Sequence, residues 1–311
     1  MSRCLITGEV WEGTGPYSPA GLRMLDRRLT TLDPIGFTKE QLLEEAQLRS
    51  DKMSIQGLQP KLSAVLRGAA GRMDIVDAKG RYILKPPHVT YRDLPENEAL
   101  TMSLAATVGI EVPLHGLLLG IDGARTYFVR RFDRLGWGKV PVEDFAQLTG
   151  GSRDTKYDSS TERIIAVIDQ FCSFPAIERI QMFRRLLFAF LTGNEDLHLK
   201  NWSVITRSGR VELSPGYDFL NSTIVLRQQA EELALPLNGK KSKLRQSDFW
   251  RYLALERLGL QPRTIEEVKA HFQDESGRWP LRIENSFLSQ EMKEKYTAML
   301  AERRQRLGFV A

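Results

Sequence analysis

The sequence contains few of the residues that build disulfide-linked or metal-held proteins. It has two cysteines, Cys4 and Cys172, and four histidines in 311 residues. Two cysteines cannot form the disulfide framework of a small secreted domain, and by themselves they cannot form a zinc site. A lone thiol in such a chain is more often a small buried hydrophobic residue than a nucleophile.

Long apolar runs are also absent. The first ten residues, MSRCLITGEV, lack the apolar stretch of a secretory signal, and no window reaches the roughly 18 apolar residues of a membrane-spanning helix. Basic residues exceed acidic ones by only five, 44 against 39, which is compatible with phosphate-bearing ligands or nucleic acid and diagnostic of neither. We therefore expect a cytoplasmic protein that does not enter a membrane.

The first half of the chain predicts a sheet with flanking helices. A helix is predicted from Thr38 to Arg49, where a threonine N-cap precedes a run rich in Glu and Leu. The runs LSAVLR, GRMDIVDA and GRYILK alternate with glycine turns and predict antiparallel strands. A helix, PENEALTMSLAATVG, follows, and then two further strands, VPLHGLLLG and ARTYFVRRF, joined by a turn at Asp122-Gly123.

Beyond Arg134 the periodicity is mostly helical. A helix from Ala176 to Thr192 is predicted to turn one apolar face to the core, formed by Ile177, Ile180, Phe183, Leu187 and Phe190 or Leu191. A second amphipathic helix is predicted from Leu288 to Leu307. We predict an α+β fold with two lobes, a small β-rich N-lobe over residues 1–134 and a larger helical C-lobe over residues 135–311.

The densest polar cluster is GNEDLHLKNWSV, residues 193–204, between an apolar helix and a strand-like run. Asp196 and Asn201 have the spacing at which an aspartate accepts the proton of an attacking hydroxyl and an asparagine binds Mg²⁺ in phosphoryl transfer. Asp218, after two strand-like runs, supplies a further oxygen ligand of the kind that Mg²⁺ prefers. A polar turn is the simpler interpretation of either motif alone, whereas both in order favour a kinase.

A kinase also needs a cation for the phosphates of ATP. Lys85 ends the strand-like run YILKPP, and an acid of the next helix, Glu98 rather than Glu96, is predicted to hold it. The alternative is a surface lysine with two acids that favour the helix dipole. His198 is expected to be partly buried and to orient its loop by hydrogen bonds, with a direct contact to the phosphates as the alternative.

Taken together, these motifs resemble the HipA family of toxin kinases. The stretches SIQGLQPK, ILKPP, FVRRFDR, VEDFAQ, GNEDLHLKN and LSPGYDFLNS occur in this order, and LPLNGKKSKL follows them. The resemblance runs from about Lys52 to Leu244 and implies a protein-kinase-like fold with ATP and Mg²⁺ as cofactors. It also implies a serine/threonine kinase toxin of a bacterial toxin–antitoxin system, which arrests translation and growth by phosphorylating a protein, for known members an aminoacyl-tRNA synthetase.

The resemblance assigns roles to individual residues. Asp196 matches the catalytic base, Asn201 and Asp218 match the magnesium ligands, and Lys85 matches the phosphate-binding lysine, with Glu98 as its acid. The other residues assigned to binding ATP or its phosphates are Ser54, Gln56, Gly57, Lys61, Arg131, Phe132, Gln147, His198 and Lys200.

The loop SIQGLQPK has one glycine, Gly57, where phosphate-binding loops usually have several. Ser54 in this loop matches a serine that family members autophosphorylate. A phosphate there adds about −1.5 to −2 charges beside the predicted ATP site and is expected to open the loop. Two residues depart from the family pattern: Gln56 replaces a small residue, and Arg130 replaces an acid.

The resemblance also implies partners. Only 53 residues precede the SIQG loop, fewer than in single-chain HipA proteins, which resembles the short HipT toxins. This predicts a HipS-like small protein and a HipB-like DNA-binding antitoxin as partners. The basic run from Lys240 to Arg245 is expected to be a solvated loop more often than a DNA contact. Two other functions stay open, a lipid or small-molecule kinase and a catalytically idle corepressor.

Overall fold

A computed structural model describes residues 1–49, 60–136, 138–151, 155–226 and 231–309 of the chain. The chain divides into two compact units. Unit 1 comprises Met1–Leu100 with Pro113–Arg131, and unit 2 comprises Thr101–Val112 with Phe132–Ala311. The predicted division of the chain at residue 134 stays a prediction.

Unit 1 is built on a five-stranded antiparallel sheet in the order β4-β3-β5-β7-β6. Its strands are β1 (Ser2–Arg3), β2 (Val10–Trp11), β3 (Leu62–Arg67), β4 (Arg72–Ile75), β5 (Tyr82–Lys85), β6 (His115–Leu119) and β7 (Arg125–Arg130). Its helices are α1 (Pro19–Leu25), α2 (Lys39–Leu48) and the beginning of α3 (Leu94–Thr107). Strands β1 and β2 form a separate antiparallel pair.

Local sequence explains where these elements begin. The Thr38 hydroxyl accepts a hydrogen bond from the Gln41 amide and the Gln41 side chain accepts one from the Thr38 amide, a reciprocal cap that starts α2. In the sheet, Leu84 of β5 pairs with Leu62 and Phe128, and all three side chains are buried. Because side chains alternate along a strand, the next residue, Lys85, lies on the opposite face of the sheet from Leu84.

Unit 2 combines helices with a small antiparallel sheet in the order β10-β11-β12. Its strands are β8 (Arg134–Leu135), β9 (Gly138–Lys139), β10 (Val142–Asp144), β11 (Ser203–Arg207) and β12 (Arg210–Leu213). Its helices, besides the end of α3, are α4 (Phe145–Leu148), α5 (Thr161–Phe171), α6 (Pro175–Thr192), a π-helix (Asp248–Arg257), α7 (Pro262–Glu284) and α8 (Gln290–Arg306). Across the described ranges, no helix is long and apolar enough to cross a membrane.

Helix α6 runs through the core of unit 2. Phe188 packs edge-on against Phe219 and Trp279, with ring centroids 5.2 and 5.6 Å apart. The prediction that Ile177 belongs to the buried face of this helix is wrong, because Ile177 is 57% exposed. Glu178 takes the buried position in the first turn instead, where its carboxylate accepts a hydrogen bond from the Leu213 amide.

Candidate active site

In unit 1, Lys85 and Glu98 form a buried ion pair. The ammonium nitrogen of Lys85 lies 2.5 Å from the Glu98 carboxylate, and the two side chains are 5% and 3% exposed. Strand β5 places Lys85 at its end, opposite Tyr127 of β7, and the ammonium lies 5.6 Å from the centroid of the Tyr127 ring. Such a pair holds a lysine ammonium in one position inside the protein, which is what binding of a phosphate by that lysine requires.

The neighbouring acid, Glu96, has a different partner. It lies in the first turn of α3, two residues before Glu98, and accepts a hydrogen bond from Arg125 at 3.1 Å. Burial raises the pKa of Glu96, against the opposing effect of its hydrogen bonds. Glu98 is therefore the acid that contacts Lys85, and Glu96 connects the start of α3 to β7.

Arg130, which departs from the family pattern, binds backbone in unit 1. Its guanidinium donates hydrogen bonds to the carbonyl oxygens of Met24 and Leu25 at 3.1 and 2.9 Å and to the Tyr82 hydroxyl at 3.0 Å. These carbonyls belong to the last turn of α1, which has no further helical partners for them. The neighbouring Arg131 is half-buried, and its amide donates to the Arg81 carbonyl oxygen.

In unit 2, the segment Gly193–Asn201 begins where α6 ends. Gly193 has a φ of 68°, a left-handed conformation that ends the helix. The Asn194 side chain accepts a hydrogen bond from the Asp196 amide at 3.1 Å, and the Ser222 hydroxyl accepts one from the Glu195 amide at 2.8 Å. Each of these bonds fixes the backbone just before or at Asp196.

Asp196 and Asn201 lie on the same turn. The Asn201 side-chain nitrogen donates to the Asp196 carbonyl oxygen at 2.7 Å, which closes a loop of six residues. The Asp196 side chain itself is 55% exposed. The predicted base is thus accessible to a substrate, while its backbone is held in place.

His198 lies inside this turn and is buried. The Lys156 ammonium is 2.8 Å from His198 Nε2, so Nε2 accepts that hydrogen bond and the ring carries its hydrogen on Nδ1. Burial lowers the pKa of His198, the Asp196 carboxylate opposes this, and the Lys156 ammonium adds to it, so the net pKa lies below the ordinary value. Nδ1 is buried and has no hydrogen-bond acceptor among the described residues.

A tyrosine that the sequence did not single out contacts the predicted base. The Tyr157 hydroxyl donates a hydrogen bond to Oδ1 of Asp196. Burial, together with this hydrogen bond, raises the pKa of Tyr157, so the hydroxyl keeps its proton at neutral pH. Because Tyr157 lies far from Asp196 along the chain, no local pattern in the sequence could predict this contact.

Asp218 follows β12 and lies next to the same turn through Tyr217. The Tyr217 hydroxyl is 3.0 Å from the Lys200 carbonyl oxygen and 3.2 Å from the Ser203 hydroxyl. Phe219 on the other side is buried against Phe188. Asp218 has a φ of 56°, a left-handed conformation that is uncommon outside glycine and that concentrates at functional sites.

The donor atoms of Asn201 and Asp218 suit Mg²⁺. Because Asn201 donates its amide nitrogen to the Asp196 backbone, its Oδ1 is the end of the amide that can bind a cation. Mg²⁺ favours one or two protein oxygens and completes its octahedron with water and phosphate oxygens. In the ranges that the structure describes, no three His, Cys, Asp or Glu side chains converge as a metal site, so these residues do not offer a metal a cage made only of protein.

Three other predicted binding residues have structural partners in unit 2. Gln147 forms a reciprocal cap with Asp144 at the start of α4, with hydrogen bonds of 3.0 and 2.9 Å. Lys200 lies 3.1 Å from the second carboxylate oxygen of Asp144. The Phe132 ring lies 5.5 Å from the Tyr217 ring. The assignment of these residues to nucleotide binding stays a prediction.

The remaining predicted residues fall into two groups. Ser54, Gln56 and Gly57 lie outside the described residues, and Lys61 is half-buried just before β3. In the basic run, Lys240 pairs with Asp248 at 3.0 Å and Lys241 pairs with Glu231 at 3.2 Å. These internal pairs reduce the positive charge that the run offers to DNA.

Comparison with known proteins gives the family. Residues 53–279 match the HipA-like C-terminal domain. A curated relative, Y4dM of Sinorhizobium fredii, is 35% identical over 217 residues, which are 65% of this chain and 53% of that protein. The serine/threonine-protein kinase toxin HipA of Shewanella oneidensis is 28% identical over 55% of this chain and 43% of its own length. The chain thus spans about half the length of these relatives.

Solved structures give the fold. HipA of Shewanella oneidensis, in complex with HipB and operator DNA, superimposes with a TM-score of 0.68 at 21% identity and covers 90% of this chain and 74% of its own. The Helicobacter pylori proinflammatory kinase CtkA gives a TM-score of 0.58 at 17% identity, over 82% of this chain and 91% of its own. These matches confirm the predicted α+β, kinase-like fold. The chain belongs to the HipA family and contains its HipA-like C-terminal domain.

Proposed function

We propose that this chain is an ATP-dependent serine/threonine kinase that acts as a toxin in a bacterial toxin–antitoxin system. The observation that carries the proposal is the turn in unit 2. It presents the exposed Asp196 carboxylate and, through the bond from Asn201 to the Asp196 backbone, fixes the amide oxygen of Asn201. A base and a magnesium ligand at this spacing suit phosphoryl transfer from a nucleotide to a hydroxyl.

In this proposal Asp196 is the general base. The acceptor oxygen forms a bond to the γ-phosphorus of ATP, and the bond from that phosphorus to the bridging oxygen breaks. The electron pair of the broken bond leaves with ADP, and the proton of the acceptor hydroxyl passes to Asp196. Because the transition state is loose, the protein contributes mainly by positioning groups and stabilising charge.

The other side chains bind the nucleotide. Lys85, held by Glu98, binds the α- and β-phosphates, and His198 is a further residue that we assign to phosphate binding. Asn201 and Asp218 would hold Mg²⁺, which would neutralise charge on the phosphates. We assign Arg131 and Phe132 to binding of the adenine, and Lys61, Gln147 and Lys200 are further residues assigned to nucleotide binding.

The intact set of Lys85, Asp196, Asn201 and Asp218 argues against a catalytically idle corepressor. The HipA protein of Shewanella oneidensis was solved with HipB and operator DNA, and we extend a HipB-like antitoxin partner to this chain. A HipT-like subtype with a HipS-like partner, an aminoacyl-tRNA synthetase as target, and regulation by phosphate on Ser54 are further parts of the proposal. Operator DNA is read by the antitoxin, since Lys240 and Lys241 are paired within the chain.

The experiment is phosphate transfer in vitro. The purified protein is incubated with ATP labelled at the γ-phosphate, Mg²⁺ and a heat-treated bacterial extract, and the labelled proteins are identified by mass spectrometry. We expect phosphoserine or phosphothreonine on a small number of proteins, and on Ser54 of the chain itself. Label confined to lipids or small molecules would favour the other kinase class, and no label in any fraction would refute the proposal.

A further inference from the structure

Two adjacent residues outside the family motifs contact the turn that carries the base. Lys156 and Tyr157 run alongside residues 196–199 and bind them at three points. The Lys156 carbonyl oxygen accepts from the Leu199 amide at 3.2 Å, the Lys156 ammonium donates to His198 Nε2 at 2.8 Å, and the Tyr157 hydroxyl donates to Oδ1 of Asp196. One backbone and two side-chain bonds thus join two segments that are far apart in the sequence.

The contact with Asp196 concerns one oxygen of its carboxylate. Oδ1 accepts the Tyr157 hydroxyl and lies 3.8 Å from His198 Nε2. The Asp196 side chain is 55% exposed, so packing alone leaves it free to rotate. A hydrogen bond to an ionised carboxylate is about twice as strong as a neutral one. The Tyr157 bond is therefore the contact that sets the rotation of the carboxylate.

Tyr157 is itself held in place by its neighbours. Its ring packs edge-on against the His198 ring at 5.1 Å, and the Lys156 ammonium lies 4.9 Å from its centroid. The Lys241 ammonium lies 6.0 Å from the same centroid and pairs with Glu231. A tyrosine fixed by a ring contact and two cations can impose its orientation on an exposed aspartate.

We infer that Lys156 and Tyr157 are positioning residues for the catalytic base. Tyr157 binds Oδ1 of Asp196, so Oδ2 is the oxygen that receives the proton of the acceptor hydroxyl. Lys156 fixes the backbone and the His198 ring against which Tyr157 packs. This inference rests on the proposed function, because it assumes that Asp196 accepts that proton.

The expected effect is confined to the chemical step. A misplaced base lowers the rate of transfer without altering the sites that bind ATP. Tyr157→Phe keeps the ring and removes only the hydroxyl. We expect kcat to fall about tenfold, less than the loss from removing the base itself, with KM for ATP within about twofold of the unchanged protein.

The chain offers a matched control. The Tyr252 hydroxyl donates to the Glu162 carboxylate at 2.8 Å, so Tyr252→Phe removes the same kind of bond at a site without a proposed role. Transfer from labelled ATP to a heat-treated extract is measured for the unchanged protein, Tyr157→Phe and Tyr252→Phe. It is also measured for Tyr157→Phe combined with Asp196→Asn, because a residue that acts through the base has nothing to position once the base is gone.

Supporting results are a loss of kcat in Tyr157→Phe alone and no further loss when Asp196→Asn is already present. A kcat that is unchanged or raised in Tyr157→Phe, or an equal further loss in the double variant, overturns the inference. If the unchanged protein transfers no phosphate, the proposed function fails instead.

Discussion

Variants of the buried ion pair of unit 1 test its contribution to stability separately from its contribution to nucleotide binding. Lys85 and Glu98 are 5% and 3% exposed and 2.5 Å apart. Removing one member of such a pair takes away the counter-charge of a buried ion, which costs about 3–5 kcal/mol. We therefore expect Lys85→Met and Glu98→Gln each to lower the free energy of unfolding by that amount. The double variant Lys85→Met/Glu98→Leu buries no charge and should recover most of the loss.

Urea denaturation followed by circular dichroism measures these differences, and binding of a fluorescent ATP analogue is measured on the same samples. The double variant should fold stably and still fail to bind the nucleotide, because the ammonium is missing. As a matched control, the pair of Arg263 and Glu267 is 90% and 61% exposed, and Arg263→Ala should cost no more than about 0.5 kcal/mol. A Lys85→Met variant as stable as this control, or normal nucleotide binding by the double variant, would refute the reasoning.

Three further predictions concern unit 2. Gly193→Ala should lower the free energy of unfolding, measured by urea denaturation, by about 2–4 kcal/mol. The backbone of Gly193 has a φ of 68°, and an added Cβ would lie 2.6 Å from a neighbouring side-chain oxygen. A change smaller than about 1 kcal/mol would contradict this. Tyr217→Phe should raise the Mg²⁺ concentration for half-maximal transfer about fivefold by loosening the backbone next to Asn201, and an unchanged titration would count against it. Burial raises the pKa of Glu232, but the hydrogen bonds from Arg306 and the Leu244 amide, together with the charges of Arg306 and Arg303, outweigh it. The net pKa is therefore below its ordinary value, and the carboxylate stabilises the fold above about pH 4. Glu232→Gln should therefore be less stable than the unchanged protein at about pH 7. The difference in unfolding free energy should disappear as the pH falls below about 4.

Local signals in the sequence predicted several elements well. The threonine N-cap and the run after it located α2, and strand-like runs separated by glycine turns located β3, β4 and β5. The structure pairs Lys85 with Glu98 and Arg125 with Glu96. Two residues of an α-helix differ by about 200° around its axis, so the two acids point to different sides of α3.

Contacts between distant parts of the chain could not be predicted from local sequence patterns. Sheet order in unit 1 pairs β5 with β7, and Tyr157 reaches an aspartate 39 residues away. Neither has a periodic pattern. The prediction placed Ile177 in the core because helical spacing shows which residues share a face of the helix. It does not show how far along the helix that face is covered by other elements, and Ile177 lies beyond the covered part. The cap formed by Asp144 and Gln147 did have a signal, an acid followed three residues later by a glutamine.

The most direct test of the central claim is the transfer rate of Asp196→Asn. This change keeps the shape of the side chain and the bond from Asn201 to the backbone but removes the base. General base catalysis contributes about 10²–10⁴-fold, and a loss of that size with unchanged folding is the predicted result. Asp274→Asn, at an exposed aspartate in α7, is the matched control and should keep the full rate. Undiminished transfer by Asp196→Asn would contradict the account.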